Sequence, residues 1–268
     1  LISGLLFGST YSIVAIGFTP IFGVLDRLNI AYGATLMVSA FAGAYVSLRF
    51  GGSDSYAVLA LAFLTSTLVG GLLGYFIRLF AFAPLRGASH LAPFVTSAAI
   101  TIALEEVFVL LSRKIPIFSP EFTAFPSPIE NGIIFLGPIL IRTAYIVIFL
   151  VSVCLLLILH WWINHSSTGR AIRAVEENAD MAWLLGINVK RIEITVFVVA
   201  SAIAGAAGCL IGVAQGMVES FMGSNMLLVS FVIIVLAGLG SLKGAMICGL
   251  LVGTIEVMMV GLVSASMK

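Results

Sequence analysis

The residues of this chain that could do chemistry are few, and the most conspicuous are carboxylates inside apolar runs. Glu105 and Glu106 lie near one end of such a run, and Glu256 lies well inside another. A carboxylate is costly to place in lipid, so it normally faces the interior of a helical bundle and has a partner there. It could relay protons or contact a solute, but hydrogen bonding between helices is the more common role, and we predict that role for Glu256.

Other side chains with catalytic potential show no arrangement typical of an enzyme. The three cysteines, Cys154, Cys209 and Cys248, all lie in apolar runs, and we interpret them as small packing residues. The three histidines lie near the ends of apolar runs. Metal-ligand spacing, a Ser/His/Asp combination and a phosphate-binding loop are all absent from the sequence, so we expect no enzymatic activity, no metal site and no cofactor.

A polar stretch from residue 167 to residue 191 interrupts the apolar sequence. It holds seven charged residues, in a chain of 268 residues with only 13 Lys+Arg and 12 Asp+Glu. Ser167 or Thr168 can cap a helix that runs toward Glu177, because a hydroxyl accepts a hydrogen bond from the exposed N–H groups of a first turn. The stretch therefore has the pattern of ordered helices and not of a loose linker.

A second short helix is predicted at residues 179–185. Asn178 can cap it, Asp180 in its first turn complements the helix dipole, and Gly186 is a typical stop. Its apolar residues are Met181, Trp183, Leu184 and Leu185. An apolar face outside the membrane must be buried against a partner or against the lipid surface, and the residues alone leave both possibilities open.

Two further motifs indicate breaks in apolar helices. The first is Asn29 followed by Ile30, Ala31, Tyr32 and Gly33, where the amide could face inward or could cap a helix at the membrane surface. The second is a glycine-rich connection that contains Gly238, Gly240, Ser241 and Gly244. An open helix N-terminus there could offer N–H groups to an anion such as a carboxylate, whereas the simpler interpretation is a tight turn.

The composition predicts an all-α polytopic transmembrane bundle. Hydrophobic residues make up 61% of the chain and charged residues 9%, whereas about a quarter of a soluble domain is charged. Continuous apolar runs, in contrast to alternating ones, exclude a β-barrel. We predict about eight membrane segments, of which the short 226–240 and the marginal 30–48 could be broken or re-entrant. The segments are 1–24, 30–48, 56–82, 91–111, 143–163, 192–218, 226–240 and 244–264.

Glycine spacing and charge give the packing and the orientation. Glycines recur four residues apart at Gly4/Gly8, Gly70/Gly74, Gly208/Gly212/Gly216, Gly240/Gly244 and Gly249/Gly253, which favours close helix packing. If every segment crosses, one side receives Arg27, Arg78, Arg86, Arg170, Arg173, Lys190, Arg191 and Lys243. The other receives Arg49, Arg113, Lys114 and Arg142. The positive-inside bias then places the 167–191 stretch in the cytoplasm. Between segments four and five, residues 112–142 are predicted to form an irregular, proline-rich external loop.

These motifs, in this order, resemble the membrane permease subunits of ATP-binding-cassette importers for branched-chain amino acids and related solutes. The resemblance is carried by Gly8–Ser12, by Asn29–Gly33, by Thr168–Ala174 with Leu184–Asn188, and by Gly238–Ser241 with Gly244–Met246. Where the family has Asn-Phe-Ala-His-Gly-Glu, this chain has Tyr32 in place of the histidine and Ala34 in place of the glutamate. If those positions contact the solute, the solute could differ from leucine. The family also continues into a further apolar span after the position of Lys268.

The resemblance implies a non-enzymatic permease domain over residues 1–268, in a bacterial inner membrane. Residues 164–191 would be a cytoplasmic coupling segment, and Asn178, Met181, Trp183, Leu184, Leu185 and Gly186 would contact an ATPase. The translocation path would be lined by Asn29, Ala31, Tyr32, Gly33, Gly238, Gly240, Ser241 and Gly244. Expected partners are two ATPase subunits, a second homologous permease or a second copy of this chain, a periplasmic solute-binding protein and the lipid bilayer, with no nucleic acid. The alternatives are an ion-coupled secondary transporter or channel, and a structural subunit of a larger membrane complex.

Overall fold

The computed structural model describes residues 2–25, 28–51, 55–85, 91–114, 122–129, 133–136 and 139–266. In this part of the chain, seven helices are long and apolar enough to cross a membrane, and Met222–Ala237 forms a shorter apolar helix. The prediction of an all-α polytopic bundle with about eight membrane segments is therefore confirmed. Arg27 and Arg86, which contributed to the predicted orientation, lie outside the described residues, and which end faces the cytoplasm stays a prediction.

The described helices follow the predicted segments closely. In chain order they are α1 (Ile2–Leu25), α2 (Ala31–Phe50), α3 (Tyr56–Ile77), α4 (Leu91–Lys114), α5 (Thr143–His165), α6 (Ser167–Glu177), α7 (Ala179–Leu184), α8 (Val189–Gln215), α9 (Met222–Ala237) and α10 (Leu242–Ser266). A five-residue π turn, Arg78–Phe82, continues α3. The largest boundary difference is at α9, which begins four residues before the predicted segment.

The predicted external loop contains more regular structure than its prolines suggested. Strand β1 (Phe122–Ala124) pairs antiparallel with β4 (Met217–Glu219), and β2 (Ile133–Leu136) pairs antiparallel with β3 (Ile139–Arg142). The β1–β4 pair joins the loop to the chain just after α8, and Arg142 adds a hydrogen bond of 3.0 Å to the Ala214 carbonyl. These contacts connect residues far apart in sequence, which local patterns do not predict.

The helix α2 begins beside the middle of α1, not beside its end. The Tyr32 hydroxyl donates a 3.1 Å hydrogen bond to the Val14 carbonyl, and the Phe18 and Tyr32 rings lie 5.2 Å apart. Val14 lies 11 residues before the end of α1, which corresponds to about 16 Å of helix. The start of α2 therefore packs against the middle of α1, and whether the segment is broken or re-entrant stays a prediction.

Most glycine pairs pack helices together, as the four-residue spacing predicted. Gly8 of α1 lies against Leu250 and Gly253 of α10, and Gly74 of α3 lies against Ser201 of α8. At these positions a Cβ atom would collide with the neighbouring helix, so only glycine permits the approach. Gly216 is an exception to the prediction, because its φ of 74° ends α8 and places it outside the helix.

The centre of the bundle is formed by α1, α2 and α8. Tyr32, Leu36 and Met37 of α2 and Phe197 of α8 are completely buried. In contrast, α3, α4, α5 and α10 each expose a row of large apolar side chains on one face, such as Leu68 and Leu72 on α3. An apolar outer surface with few charged residues suits contact with lipid or with other membrane subunits.

Candidate functional site

The helix α6 is attached firmly to the end of α5. Its N-cap is Ser166, whose Oγ accepts a 2.8 Å hydrogen bond from the Gly169 N–H. The prediction of a cap at Ser167 or Thr168 was therefore wrong by one or two residues, because three serines and threonines in a row can each serve. Arg173 donates a 2.5 Å hydrogen bond to the Ile163 carbonyl, which satisfies one of the exposed carbonyls at the end of α5.

The predicted caps of α7 are confirmed. Asn178 Oδ1 accepts hydrogen bonds of 3.0 Å from the Asp180 N–H and 2.9 Å from the Met181 N–H. Gly186 has a φ of 84°, the left-handed conformation that ends helices and that glycine adopts without strain. The helix ends at Leu184, one residue earlier than predicted.

The large apolar side chains of α7 and of the residue after it are almost fully uncovered. Met181 is 58% exposed, Trp183 68% and Leu184 69%, and Leu185, which follows the helix, is 79% exposed. Only Ala182 of α7 is buried, at 1%. Large exposed apolar side chains grouped in this way indicate an interaction surface, and the caps at both ends hold that surface in a fixed shape.

A third helix N-cap was not predicted from the sequence. Asn188 Oδ1 accepts a 3.1 Å hydrogen bond from the Arg191 N–H and so starts α8. Only residues 185–188 separate α7 from α8. Three capped helices, α6, α7 and α8, thus follow α5 and are joined by short connections.

Asn29 lies in a buried, apolar part of the bundle. It is 1% exposed, and among the described residues no donor lies within hydrogen-bonding distance of its Oδ1. The next residue is held by a different helix, because the Ile30 N–H donates a 3.2 Å hydrogen bond to Ser97 Oγ of α4. A buried amide oxygen without a donor is costly, which marks this position as a candidate for solute or water binding.

A cavity of about 250 Å³ lies beside this asparagine. Its walls come from α1, the α1–α2 connection, α4 and α9, and they are formed by Phe18, Leu28, Asn29, Ile30, Phe94, Leu227, Leu228 and Phe231. Apart from the asparagine, these side chains are all apolar. The cavity thus has the chemistry to hold a small apolar side chain beside one amide.

The other predicted path residues of this motif lie behind the cavity. Ala31, Tyr32 and Gly33 are buried in the chain and do not line the cavity. A Cβ atom placed on Gly33 would lie 2.5 Å from the Gly223 carbonyl oxygen. The role of Gly33 in this structure is therefore to permit a close contact between α2 and α9.

The connection between α9 and α10 is a tight turn, which was the simpler of the two interpretations. Gly238 and Gly240 have φ values of 84° and 86°, and the Ser241 N–H donates a 3.1 Å hydrogen bond to the Gly238 carbonyl. Ser241 Oγ then accepts from the Gly244 N–H at 3.1 Å. The first N–H groups of α10 are partly satisfied within the turn itself, which leaves fewer of them for an anion.

This turn and the asparagine cavity are not brought together. A small cavity of about 60 Å³ beside Gly240 is lined by Gly23 of α1 and Glu176 of α6, and not by Asn29. The Glu176 Oε1 atom lies 2.8 Å and 3.0 Å from the ideal Cβ positions of Gly23 and Gly240. The predicted turn residues therefore sit at the junction with α6, while Asn29 lies deeper in the bundle.

Glu176 was not predicted as a site residue. Partial burial raises the pKa of its carboxyl above the usual range, and the nearby Arg173 guanidinium acts in the opposite direction. Although the side chain as a whole is exposed, its Oε1 atom reaches the narrow space between two helices. The raised pKa follows from that local environment.

The carboxylates Glu105 and Glu256 lie in different surroundings. Glu105 is buried and accepts a hydrogen bond from Ser224 of α9, so it joins two helices, as is usual for an acid inside a membrane segment. Glu256 lies near Tyr11 of α1 but is exposed on α10. The side chain expected to face the bundle interior is therefore exposed in this chain, and its structural role stays a prediction.

An ion pair that the sequence did not predict links α3 and α8. Arg78, in the π turn, pairs with Glu193 in the first turns of α8, and their side chains are only 4% and 14% exposed. The pair lies four residues after the start of α8 and therefore close to the three capped helices.

Comparison with known proteins identifies the group to which this architecture belongs. The chain is 34% identical to the high-affinity branched-chain amino acid transport system permease protein BraD of Pseudomonas aeruginosa over 96% of this chain and 84% of that protein. It is 31% identical to the permease protein LivH of Salmonella typhimurium over 99% and 87%, and 30% identical to LivH of Escherichia coli over 99% and 87%. No solved structure matches significantly. The family described as "Branched-chain amino acid transport system / permease component" matches residues 1–268, and the chain belongs to this family.

Proposed function

We propose that this chain is the permease subunit of an ATP-binding-cassette importer in a bacterial inner membrane. Residues 1–268 would form one permease domain, and residues 164–191 would form its cytoplasmic coupling segment. The observation that carries the proposal is the capped α7 with its uncovered apolar side chains. A single short helix that holds Trp183, Leu184 and Leu185 at 68–79% exposure fits a groove on a partner protein.

The proposed partners follow from the role of a permease subunit, which forms the pore while other subunits hydrolyse ATP and deliver the solute. Two ATPase subunits would bind the coupling segments of two permease subunits, which are either this chain twice or this chain with a homologue. A periplasmic binding protein would deliver the solute. The permease itself would carry out no reaction, since ATP hydrolysis would take place in the partners, and nucleic acid plays no part.

The solute we propose is a branched-chain amino acid or a related small amino acid or amide. The cavity beside Asn29 supports this, because its walls are apolar and suit an aliphatic side chain. The Asn29 amide oxygen is buried without a donor, so it could accept a hydrogen bond from an N–H group of the solute once movement of the surrounding helices opens it to the cavity. In this proposal Asn29 contacts the solute, and Ala31, Tyr32 and Gly33 hold the asparagine in place from behind.

The turn with Gly238, Gly240, Ser241 and Gly244 takes a second position in the path. It lies beside Glu176, at the end of the bundle that carries the coupling segment. We propose that this turn lines the cytoplasmic exit, where a change in the coupling segment would reach it directly.

The decisive experiment is solute uptake by the complete complex in proteoliposomes. The complex with its ATPases and binding protein should accumulate radiolabelled L-leucine when ATP is inside the vesicles, and an uncoupler that collapses the proton gradient should have no effect. Uptake that needs a proton or sodium gradient and ignores ATP would refute the importer and favour an ion-coupled secondary transporter. ATP-driven uptake of urea or an amide in place of leucine would keep the importer and change only the solute.

A further inference from the structure

We propose that the Arg78–Glu193 ion pair is a positioning link that fastens the start of α8 to α3, so that movement of the coupling segment is passed to both helices together. The inference rests on the proposed ATPase coupling. It concerns two residues outside the α7 docking surface, and their pairing was not predicted from the sequence.

The location of the pair is the first argument. Glu193 lies in the first turns of α8, and only residues 185–188 separate α8 from α7. A displacement of α7 therefore acts first on the start of α8. The ends of helices open locally with less free energy than their centres, so an unattached first turn could absorb the displacement by fraying or bending.

Burial is the second argument. The Arg78 and Glu193 side chains are 4% and 14% exposed, which is unusual for two charged residues. Exposed ion pairs are screened by solvent and hold helices together weakly, whereas removal of one member of a buried pair leaves a charge that the surroundings cannot solvate. The pair thus resists separation of α8 from α3 at this end.

The π turn is the third argument. In the segment Arg78–Phe82, Arg78, Ala81 and Phe82 are buried, whereas Phe80 is 70% exposed. Phe82 packs against Phe197 of α8 with a ring-centroid distance of 5.0 Å. The turn therefore presents an arginine and an aromatic ring to the same face of α8, and π turns within helices often occur at functional positions.

Close packing continues the connection along the two helices. Gly70 and Gly74 of α3 lie directly against Ser201 and Gly205 of α8. A helix pair joined by backbone contact in its middle and by an ion pair at its end should move as one body, because packed interfaces do not deform continuously.

The test compares three variants of the complete transporter complex with wild type in proteoliposomes. The double variant Arg78→Met/Glu193→Leu removes both charges and so leaves neither one unpaired. The swap Arg78→Glu/Glu193→Arg restores an ion pair with its polarity reversed. Arg49→Met removes an exposed arginine in the last turn of α2 and is the matched control.

The readout is the number of L-leucine molecules taken up per ATP hydrolysed, together with the amount of assembled complex and its melting temperature. The apolar double variant should assemble and melt like wild type, while its uptake per ATP falls roughly 2- to 30-fold, the range found for changes in coupling networks. The swap should recover most of this loss, and Arg49→Met should match wild type.

Two outcomes would overturn the proposal. Normal uptake per ATP in the apolar double variant would show that the ion pair does not contribute to coupling and has at most a role in the stability of the protein. A loss in the double variant that the swap leaves unrepaired would show that the ion pair is not the cause. Failure of the proposed function is distinguishable, because the wild-type complex itself would then show no ATP-driven uptake.

Discussion

Replacement of two leucines on α7 is the most direct perturbation of the proposed coupling surface. Leu184 and Leu185 are 69% and 79% exposed, and complete burial of a leucine is worth about 2 kcal/mol. Covering what remains exposed of both side chains would therefore contribute about 3 kcal/mol, or on the order of 100-fold in the dissociation constant. Leu184→Asp with Leu185→Asp removes this contribution and adds two unpaired carboxylates to the interface, which costs several kcal/mol more.

The assay is binding of the purified ATPase subunit to the detergent-solubilised permease. We expect the double aspartate variant to lose measurable binding, while Leu184→Met with Leu185→Met, which conserves volume and apolar character, should bind nearly as wild type does. The fold should survive in both cases, because neither leucine is part of the buried core. ATPase binding within tenfold of wild type in the aspartate variant would refute docking through α7.

The same variants address the competing interpretation, in which α7 lies flat on the membrane. If α7 lay on the lipid surface, the aspartate substitutions would release it from the bilayer without changing ATPase affinity, and quenching of Trp183 fluorescence by brominated lipids would report that release. The two explanations therefore predict changes in different measurements.

Three further predictions concern single residues. Since burial raises the pKa of the Glu176 carboxyl, its ionisation opposes folding once the pH rises through that pKa. Glu176→Gln should therefore stabilise the protein against SDS unfolding at neutral pH, lose this advantage at acidic pH, and differ in this from the exposed neighbour variant Glu177→Gln. Gly240→Leu should abolish leucine uptake while leaving ATPase binding within a few fold, because the new side chain meets the Glu176 carboxylate and strains a backbone with φ of 86°; uptake above half of wild type would contradict this. Glu256→Gln should retain uptake, since Glu256 is exposed on α10 and the amide keeps the shape of the side chain, and loss of uptake in this variant would point to a role for the charge.

Helix caps and stops could be predicted from the sequence where a residue interacts with residues close to it in the chain. Asn178 caps α7 two and three residues away, and Gly186 ends it by its own backbone conformation. The helices of the bundle were equally predictable, because lipid-crossing segments must be long and continuously apolar. The cap of α6 was predicted at Ser167 or Thr168 and lies at Ser166, because adjacent hydroxyls are chemically equivalent and only the path of the chain selects one.

Contacts between distant residues could not be predicted in this way. Arg78 and Glu193 are 115 residues apart, and each alone resembles an interfacial charge at the end of a span. Glu176 looked like one of several charges on a solvated helix until the structure placed it between Gly23 and Gly240. In both cases the function follows from which helices meet, and the sequence of a single chain carries no direct record of that.

The described contacts also explain how a small helix outside the bundle could influence a cavity inside it. The coupling segment touches α5 through Arg173, α1 and the α9–α10 turn through Glu176, and α3 through the start of α8. Phe18 of α1 is a wall of the cavity beside Asn29, so one wall belongs to a helix that contacts the coupling segment directly. Phe94 of α4 forms another wall, and α4 has no comparable contact with that segment among the described residues. A displacement of the coupling segment would therefore move α1 relative to α4, and the volume beside Asn29 is the space that this relative movement changes.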